Sequence, residues 1–204
     1  GSVVPTKDQS NYLQLAVALL YLTVFSALTF RLVRNICLIV KRGNKHQSLL
    51  FHGKKVIVLK EKVVPHNFMQ FIFISEDDYG NELHRERLLM HELAHAKGRH
   101  SLDLLGAELL KIVFWFNPLY HLLGRAVRVN HEYLADQTVL NAFSDISAYQ
   151  KLLLRFAQYG QISSSNPSSF SNYSLTKKRF IMMKRKTHRA STILRLVIVM
   201  PLIA

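Results

Sequence analysis

The most regular feature of the chain is an apolar run near its start. Residues 12–30 include no charged side chain, and Gln14 is the only strongly polar one. Apolar side chains fall on every side of a helix built from this run, with no polar stripe, which favours a membrane-spanning helix over a buried core helix. Its nineteen residues extend about 28 Å as a helix, close to the ~30 Å hydrocarbon thickness of a bilayer. The run therefore predicts a membrane span.

Charged residues are distributed unequally on the two sides of this run. Lys7 and Asp8 precede it, and the basic residues that follow it are Arg31, Arg34, Lys41, Arg42 and Lys45. Since cytoplasmic segments carry the excess of basic residues, everything after residue 31 is predicted to be cytoplasmic. We therefore expect residues 1–11 to be a cloning remnant and an extracytoplasmic loop. Residues 12–40 are expected to be the span and its cytoplasmic extension.

Shorter periodic segments fill residues 41–192, the predicted cytoplasmic domain. The compositions of 55–59 and 68–74 predict two strands, with a break at residues 65–67. Helices are predicted at 82–99, at 101–116, from Asn117-Pro118 to about 139, at 146–159 with Gly160 closing it, and at 175–186. The serine- and asparagine-rich residues 161–173 predict a loop. A last apolar run, residues 193–204, is expected to begin a second, truncated span.

A further apolar stretch, residues 104–123, is interrupted by polar and charged residues, among them Glu108 and Lys111. Those interruptions disfavour a second span. The stretch instead predicts a helix core that dips into the membrane interface, with Trp115 and Tyr120 as interfacial aromatic residues.

The charge of the chain fits a protein at a membrane surface. Its 204 residues have a formal net charge of +14 and are 49% hydrophobic. We expect no nucleic acid partner, because the basic residues cluster at the ends of the predicted spans and no recognition motif is present. Seven basic residues lie in the segment that begins with Lys177 and ends with Arg189. They indicate either anionic-lipid binding or simply the positive-inside signal.

The strongest chemical signal is the segment His91-Glu92-Leu93-Ala94-His95, inside the helix predicted at 82–99. Two histidines four residues apart on a helix point both imidazoles into one site, which suits one catalytic Zn²⁺. Glu92 lies about 100° round the helix from His91, so it can reach a zinc-bound water rather than the metal. Its predicted role is general base, while the metal ion polarises the scissile carbonyl.

A third ligand must come from elsewhere in the chain. The metzincin pattern would require histidine at position 101, which is Ser101. The later candidates are Glu108, His121, His131, Glu132 and Asp136. Glu132 and Asp136 share one helix face, so we predict that Glu132 binds the metal and Asp136 orients a ligand histidine. His131 is either an ordinary polar residue or an oxyanion stabiliser.

Several motifs at consistent spacing resemble the BlaR/MecR-type membrane gluzincins. They are His91 to His95, His100 to Asp103, Trp115 to Leu119 and His131 to Asp136, and the later Lys177 to Met183 is similar to bacteroidete members. The resemblance covers roughly residues 10–204. It implies a multi-pass protease of the bacterial inner membrane, with a cytoplasmic catalytic domain between its last two spans. It also implies that His91, His95 and Glu132 bind zinc and that Glu92 is the general base. The β-lactam sensors of this family carry a penicillin-binding domain after the last span. These 204 residues stop before the place of such a domain, so they give no support to a β-lactam-sensing role.

These observations predict an α+β, mainly helical fold. The expected protein is a gluzincin-like zinc peptidase domain with a small β-sheet, attached to transmembrane helices. Its expected substrates are a cytoplasmic regulator, the chain itself, or a membrane protein near the bilayer. The strand predicted at 68–74 is a candidate edge for pairing with a substrate backbone. Two alternatives stay open: a CAAX-type membrane zinc peptidase, and a non-catalytic zinc-binding membrane signal transducer.

Overall fold

The computed structural model describes residues 7–143, 145–162 and 168–183, and within them it is mainly helical with a small mixed sheet, as predicted. The elements are α1 Lys7–Lys45, β1 Ser48–Phe51, β2 Lys54–Leu59, β3 His66–Phe68, β4 Phe71–Ser75, α2 Glu76–Gly80, α3 Glu82–Lys97, α4 His100–Val113, α5 Pro118–Ala142, α6 Ile146–Ile162 and α7 Ser168–Met183. The chain divides into two compact units, Gly1–Val139 and Leu140–Ala204.

Helix α1 contains the whole predicted span, residues 12–30, and continues to Lys45. Among the described residues, Asn11–Lys45 is the helix long and apolar enough to cross a bilayer by length and composition. Its most apolar window has no side chain buried against the rest of the protein. Such exposure is what a helix in contact with lipid requires, because no protein surface covers it.

The four strands form one sheet in the order β1-β2-β4-β3, with β2 and β4 parallel and the two outer pairs antiparallel. Every residue of β4 is buried. The strand predicted at 68–74 is confirmed from Phe71 onward as β4. Its first part is wrong, because the chain turns at Met69, with φ 52°, and Phe68 belongs to the separate strand β3. The predicted break at 65–67 is also wrong in part, because His66 pairs with Phe73. β4 is an interior strand, and the edge beside it is the three-residue β3.

The C-terminal part of α1 packs on this sheet. Ile39 lies against a buried cluster formed by Ile57, Leu59, Phe71 and Phe73. A Cβ atom added at Gly43 would lie 2.9 Å from Cγ of Phe71, a distance that real Cβ atoms essentially never show. The absence of a side chain at residue 43 therefore allows the helix to approach the sheet closely.

Capping side chains mark the starts of α3 and α5, and a left-handed residue separates α3 from α4. The side chain of Asn81 accepts the backbone N–H of His84 at 3.2 Å, which caps the start of α3. Helix α3 ends at Lys97 with Gly98 as its C-cap, and Arg99 takes a left-handed conformation before α4 begins at His100. The predicted break at Asn117-Pro118 is confirmed, since the Asn117 side chain accepts the N–H of Leu119 at the start of α5.

The second unit contains α6 and α7. The Asp145 side chain accepts the backbone N–H of Ala148 at 3.0 Å, which caps α6. The predicted closure at Gly160 is wrong, because the helix continues to Ile162. The predicted loop at 161–173 is wrong where α7 starts, at Ser168. The predictions for residues 163–167, for the basic residues beyond Met183 and for the last apolar run lie outside the described residues.

Candidate metal centre

Helices α3 and α5 bring two imidazoles and one carboxylate together. The Nε2 atoms of His91 and His95 are 3.1 Å apart. Carboxylate oxygens of Glu132 lie 3.5 Å from His91 Nε2 and 3.7 Å from His95 Nε2. Among the described residues, these three side chains form the group of donors that could hold a metal ion. Glu132 is the candidate third ligand that the sequence singled out.

The separations of these atoms suit a tetrahedral zinc ion. Ligand atoms about 2.0–2.1 Å from zinc at tetrahedral angles lie roughly 3.3–3.4 Å from one another, and the three separations above bracket that value. Both histidines are buried, with exposed fractions of 7% for His91 and 8% for His95. Three protein ligands of this kind leave a fourth position open, as catalytic zinc sites do.

Glu92 lies beside this group on α3. It is buried, with an exposed fraction of 6%, and glutamate is among the residue types that are rarely buried. It follows His91 directly and so projects from the helix at a different angle from the two histidines. A carboxylate held in this position can accept a proton from a water molecule near the three donors.

Asp136 contacts the outer side of His91. Its Oδ1 atom is 3.5 Å from His91 Nδ1, and only 2% of the residue is exposed. Asp136 and Glu132 are one helical turn apart on α5, so the same helix face supplies a donor and an orienting carboxylate. Burial, and then the Asp136 charge, raise the pKa of the Tyr133 phenol above its ordinary value.

His95 has an orienting contact of a different kind, which the sequence had not suggested. Its Nδ1 atom is 2.8 Å from Nδ1 of His100, the first residue of α4. Burial, and then the nearby His131, lower the pKa of His100, while the Asp103 carboxylate acts in the opposite direction. A neutral imidazole can accept the Nδ1–H of His95. The only sequence signal for this contact is the five-residue spacing between the two histidines.

Three further residues hold His100 in place. Its ring stacks on that of His131, with centroids 3.9 Å apart and planes 3° from parallel. His131 Nε2 in turn lies 3.1 Å from a carboxylate oxygen of Asp103. On the other side, a Cβ atom at Gly98 would lie 2.6 Å from His100 Nε2. The His100 ring therefore fills space that only a glycine at position 98 leaves free.

The remaining predicted candidates are placed as follows. His131, predicted as an oxyanion stabiliser or an ordinary polar residue, is buried behind His100 and contacts Asp103. Its Nδ1 atom has no hydrogen-bond partner among the described residues. Glu108 pairs with Lys111 at 2.6 Å, and His121 contacts the backbone oxygen of Trp115 at 3.3 Å. Neither belongs to the group of three donors.

Comparison with known proteins identifies the family of the chain. Residues 3–183 match the family described as BlaR1 peptidase M56. The chain is 30% identical over 134 residues to "Regulatory protein BlaR1" of Staphylococcus aureus, covering 61% of the chain and 22% of that protein. It is 34% identical over 99 residues to "Regulatory protein BlaR1" of Bacillus licheniformis, covering 46% of the chain and 16% of that protein. The chain thus matches about a fifth of the length of these relatives. The resemblance to the BlaR/MecR-type family is confirmed, and the chain belongs to the BlaR1 peptidase M56 family.

Proposed function

We propose that the chain is the catalytic part of a membrane-embedded zinc metalloendopeptidase that hydrolyses peptide bonds in regulatory or signalling proteolysis. The observation that carries the proposal is the meeting of His91 Nε2, His95 Nε2 and the Glu132 carboxylate at 3.1–3.7 Å, beside the buried Glu92. Two nitrogen donors, one carboxylate and an adjacent base are the elements of a gluzincin-type peptidase site.

His91, His95 and Glu132 would hold the zinc ion. When bound, the ion would supply Lewis acidity to the scissile carbonyl and make a water molecule easier to deprotonate. Glu92 accepts the proton of the attacking water and then delivers it to the nitrogen of the leaving amine. Asp136 accepts the Nδ1–H of His91, and His100 accepts that of His95, so each ligand histidine keeps its Nε2 lone pair for the metal. Removal of either acceptor would let the ring rotate or change its tautomer.

The regulatory role is supported by the family and by the printed names of the relatives, which describe them as regulatory proteins. We propose a cytoplasmic regulator or the chain itself as substrate. Residues 41–192 would form the peptidase domain on the cytoplasmic side of a bacterial inner membrane. Helix α1 and residues 193–204 would belong to the spans of a multi-pass protein. Basic residues from Lys177 onward would face anionic lipids.

A buried carboxylate at Glu92 favours an enzyme over a transducer that keeps zinc for structure, because a structural site does not need a base.

The direct test compares the wild type with Glu92→Gln, both in lipid vesicles. Glutamine keeps the shape of the side chain but cannot accept a proton. We expect unchanged zinc content and a loss of cleavage of at least 100-fold, the lower end of what general-base catalysis contributes. Glu86→Gln, an exposed change on the same helix, is the control and should cleave like the wild type. Wild-type cleavage by Glu92→Gln would refute its role as base.

A further inference from the structure

The α4–α5 hairpin, residues 104–124, exposes an apolar surface. Several large side chains of the stretch predicted to be a helix core that dips into the membrane interface are exposed on the outside of the hairpin. The residues concerned, with exposed fractions from 39% to 64%, are Leu109, Leu110, Val113, Phe116, Leu119, Leu122 and Leu123. A contiguous apolar surface of this kind is unusual on a protein surrounded by water, and it indicates contact with a partner or with lipid.

The contact of the hairpin with helix α1 indicates whether a partner or lipid covers the apolar surface. The Tyr21 hydroxyl donates a hydrogen bond of 2.9 Å to the backbone oxygen of Val113, at the end of α4. Tyr21 is the midpoint of the charge-free residues 12–30, about 14 Å from either end. The sheet meets the same helix at Ile39 and Gly43, about 27–33 Å further along. If α1 spans the bilayer, the sheet lies outside the hydrocarbon and the hairpin reaches its centre.

The backbone of the hairpin turn is suited to that depth. In hydrocarbon, a backbone carbonyl without a partner costs several kcal/mol. The oxygen of Val113 accepts from Tyr21, that of Phe114 from the N–H of Asn117 at 2.9 Å, and that of Trp115 lies 3.3 Å from His121 Nε2. The three carbonyls at the tip therefore have partners within the protein.

The acidic and basic side chains of the hairpin pair with each other, as charged groups in hydrocarbon must. Residues 104–124 contain one acidic residue, Glu108, and one basic residue, Lys111, and their charged atoms are 2.6 Å apart. The Lys111 stem lies across the buried Gly124 of α5, where a Cβ atom would be 2.4 Å from its Cε. The pair thus neutralises itself between the two helices, the arrangement that ionisable groups adopt inside membranes.

We propose that the α4–α5 hairpin is a re-entrant element whose exposed apolar side chains are covered by lipid acyl chains near the bilayer centre. The proposal rests on the membrane span of the proposed function, and it specifies where the substrate must lie. His100, beside the metal centre, is thirteen residues before Val113, so the centre lies at most about 20 Å from the bilayer midplane along α4. The hydrocarbon edge lies roughly 15 Å from that midplane. Scissile bonds would therefore belong to proteins held close to the membrane surface.

Trp115 allows a test with the unmodified 204-residue chain, because it is the single tryptophan and lies at the hairpin tip. Its fluorescence is measured in phosphatidylcholine vesicles whose acyl chains carry bromine either near the middle of the bilayer or near the carbonyl ends. Vesicle retention after alkaline carbonate extraction is recorded on the same samples. We expect retained protein, stronger quenching by the deep bromines, and little quenching by acrylamide from the water.

Retained protein with quenching only by the shallow bromines or by acrylamide would overturn the hairpin proposal and leave the membrane span and the peptidase proposal standing. Extraction of the chain by carbonate would overturn the span as well. Deep quenching in a protein that fails to cleave any peptide would support the hairpin and remove only the enzymatic proposal. The three failures are thus distinguishable.

A charge variant gives an independent measurement. Leu119→Lys, at a residue 64% exposed in the hairpin, places an unpaired charge in the hydrocarbon and should shift Trp115 quenching towards the shallow bromines. Leu50→Lys, at a residue 82% exposed on β1, is the matched control and should leave the profile unchanged. Equal profiles in both variants would contradict lipid contact at Leu119.

Discussion

Gly98→Ala tests whether His100 orients the zinc ligand His95. A Cβ atom at residue 98 would lie 2.6 Å from Nε2 and 2.9 Å from Cδ2 of His100, both shorter than real Cβ contacts. The backbone at Gly98 is right-handed, with φ −72° and ψ −3°, so alanine meets no conformational penalty there. The effect of the change is therefore steric and directed mainly at the His100 ring, with the backbone oxygen of Ala94, 3.2 Å from the added Cβ, as the weaker contact. We expect the ring to move and its 2.8 Å contact with His95 Nδ1 to be lost.

The expected loss of zinc affinity is that of removing a partner that orients a ligand histidine. Loss of an orienting partner of a ligand histidine lowers metal affinity about 10–100-fold, which corresponds to about 1.4–2.7 kcal/mol. Zinc affinity is measured by competition with a chromophoric chelator, in detergent or vesicles. Gly106→Ala on α4 is the control, because nothing lies within 4 Å of its added Cβ. A helical glycine replaced by alanine there should leave zinc binding unchanged and stabilise the fold by about 0.5–1 kcal/mol.

A double-mutant cycle separates the orienting contact from a general loss of structure. His100→Ala alone should lower zinc affinity by the same 10–100-fold. Once His100 is absent, Gly98→Ala has no ring to displace, so the double variant should bind zinc like His100→Ala. Wild-type zinc affinity in both single variants would refute the reasoning. Additive losses would show that Gly98→Ala acts through something other than His100.

Two more changes probe the site and the packing of α1. Glu132→Gln removes a charged ligand, so zinc affinity in the chelator assay should fall by more than the 10–100-fold expected for an orienting contact. Wild-type affinity in that variant would exclude Glu132 as a ligand. Gly43→Ala would place a Cβ atom 2.9 Å from the Phe71 ring, so we expect a loss of about 1–3 kcal/mol in the free energy of unfolding, measured by denaturant titration. A gain of stability would show that the helix does not pack on the sheet as described.

Features set by a few neighbouring residues were predictable from the sequence. The Asn117-Pro118 break follows from the fixed φ of proline and the capping side chain before it, and the structure has it at the expected residues. The shared face of His91 and His95 follows from helix geometry alone. Glu132 and Asp136 were chosen on the same periodicity, and the structure brings both to the histidines of α3.

Features that depend on tertiary packing were not predictable. The split between β3 and β4 occurs at Met69 in a left-handed conformation, and methionine is not a residue that marks such turns. Gly160 carried the usual signal for the end of a helix, yet α6 passes through it. The role of His100 depends on the turn at Gly98 and Arg99, which folds the start of α4 back onto His95. No periodicity within one helix reveals a contact made across that turn.

The candidate metal centre and the proposed membrane hairpin share one element, α4, which would link chemistry to location. Its first residue, His100, contacts His95, a proposed zinc ligand, and its last, Val113, accepts the hydrogen bond from Tyr21 of α1. A shift of α4 along its axis would therefore change both the depth of the hairpin and the orientation of a zinc ligand. Since the Tyr21 contact is a single hydrogen bond, worth about 0.5–1.5 kcal/mol net, a change in the membrane helices could alter it at modest cost. Displacement of α1 would then reach the candidate metal centre through a helix of fourteen residues.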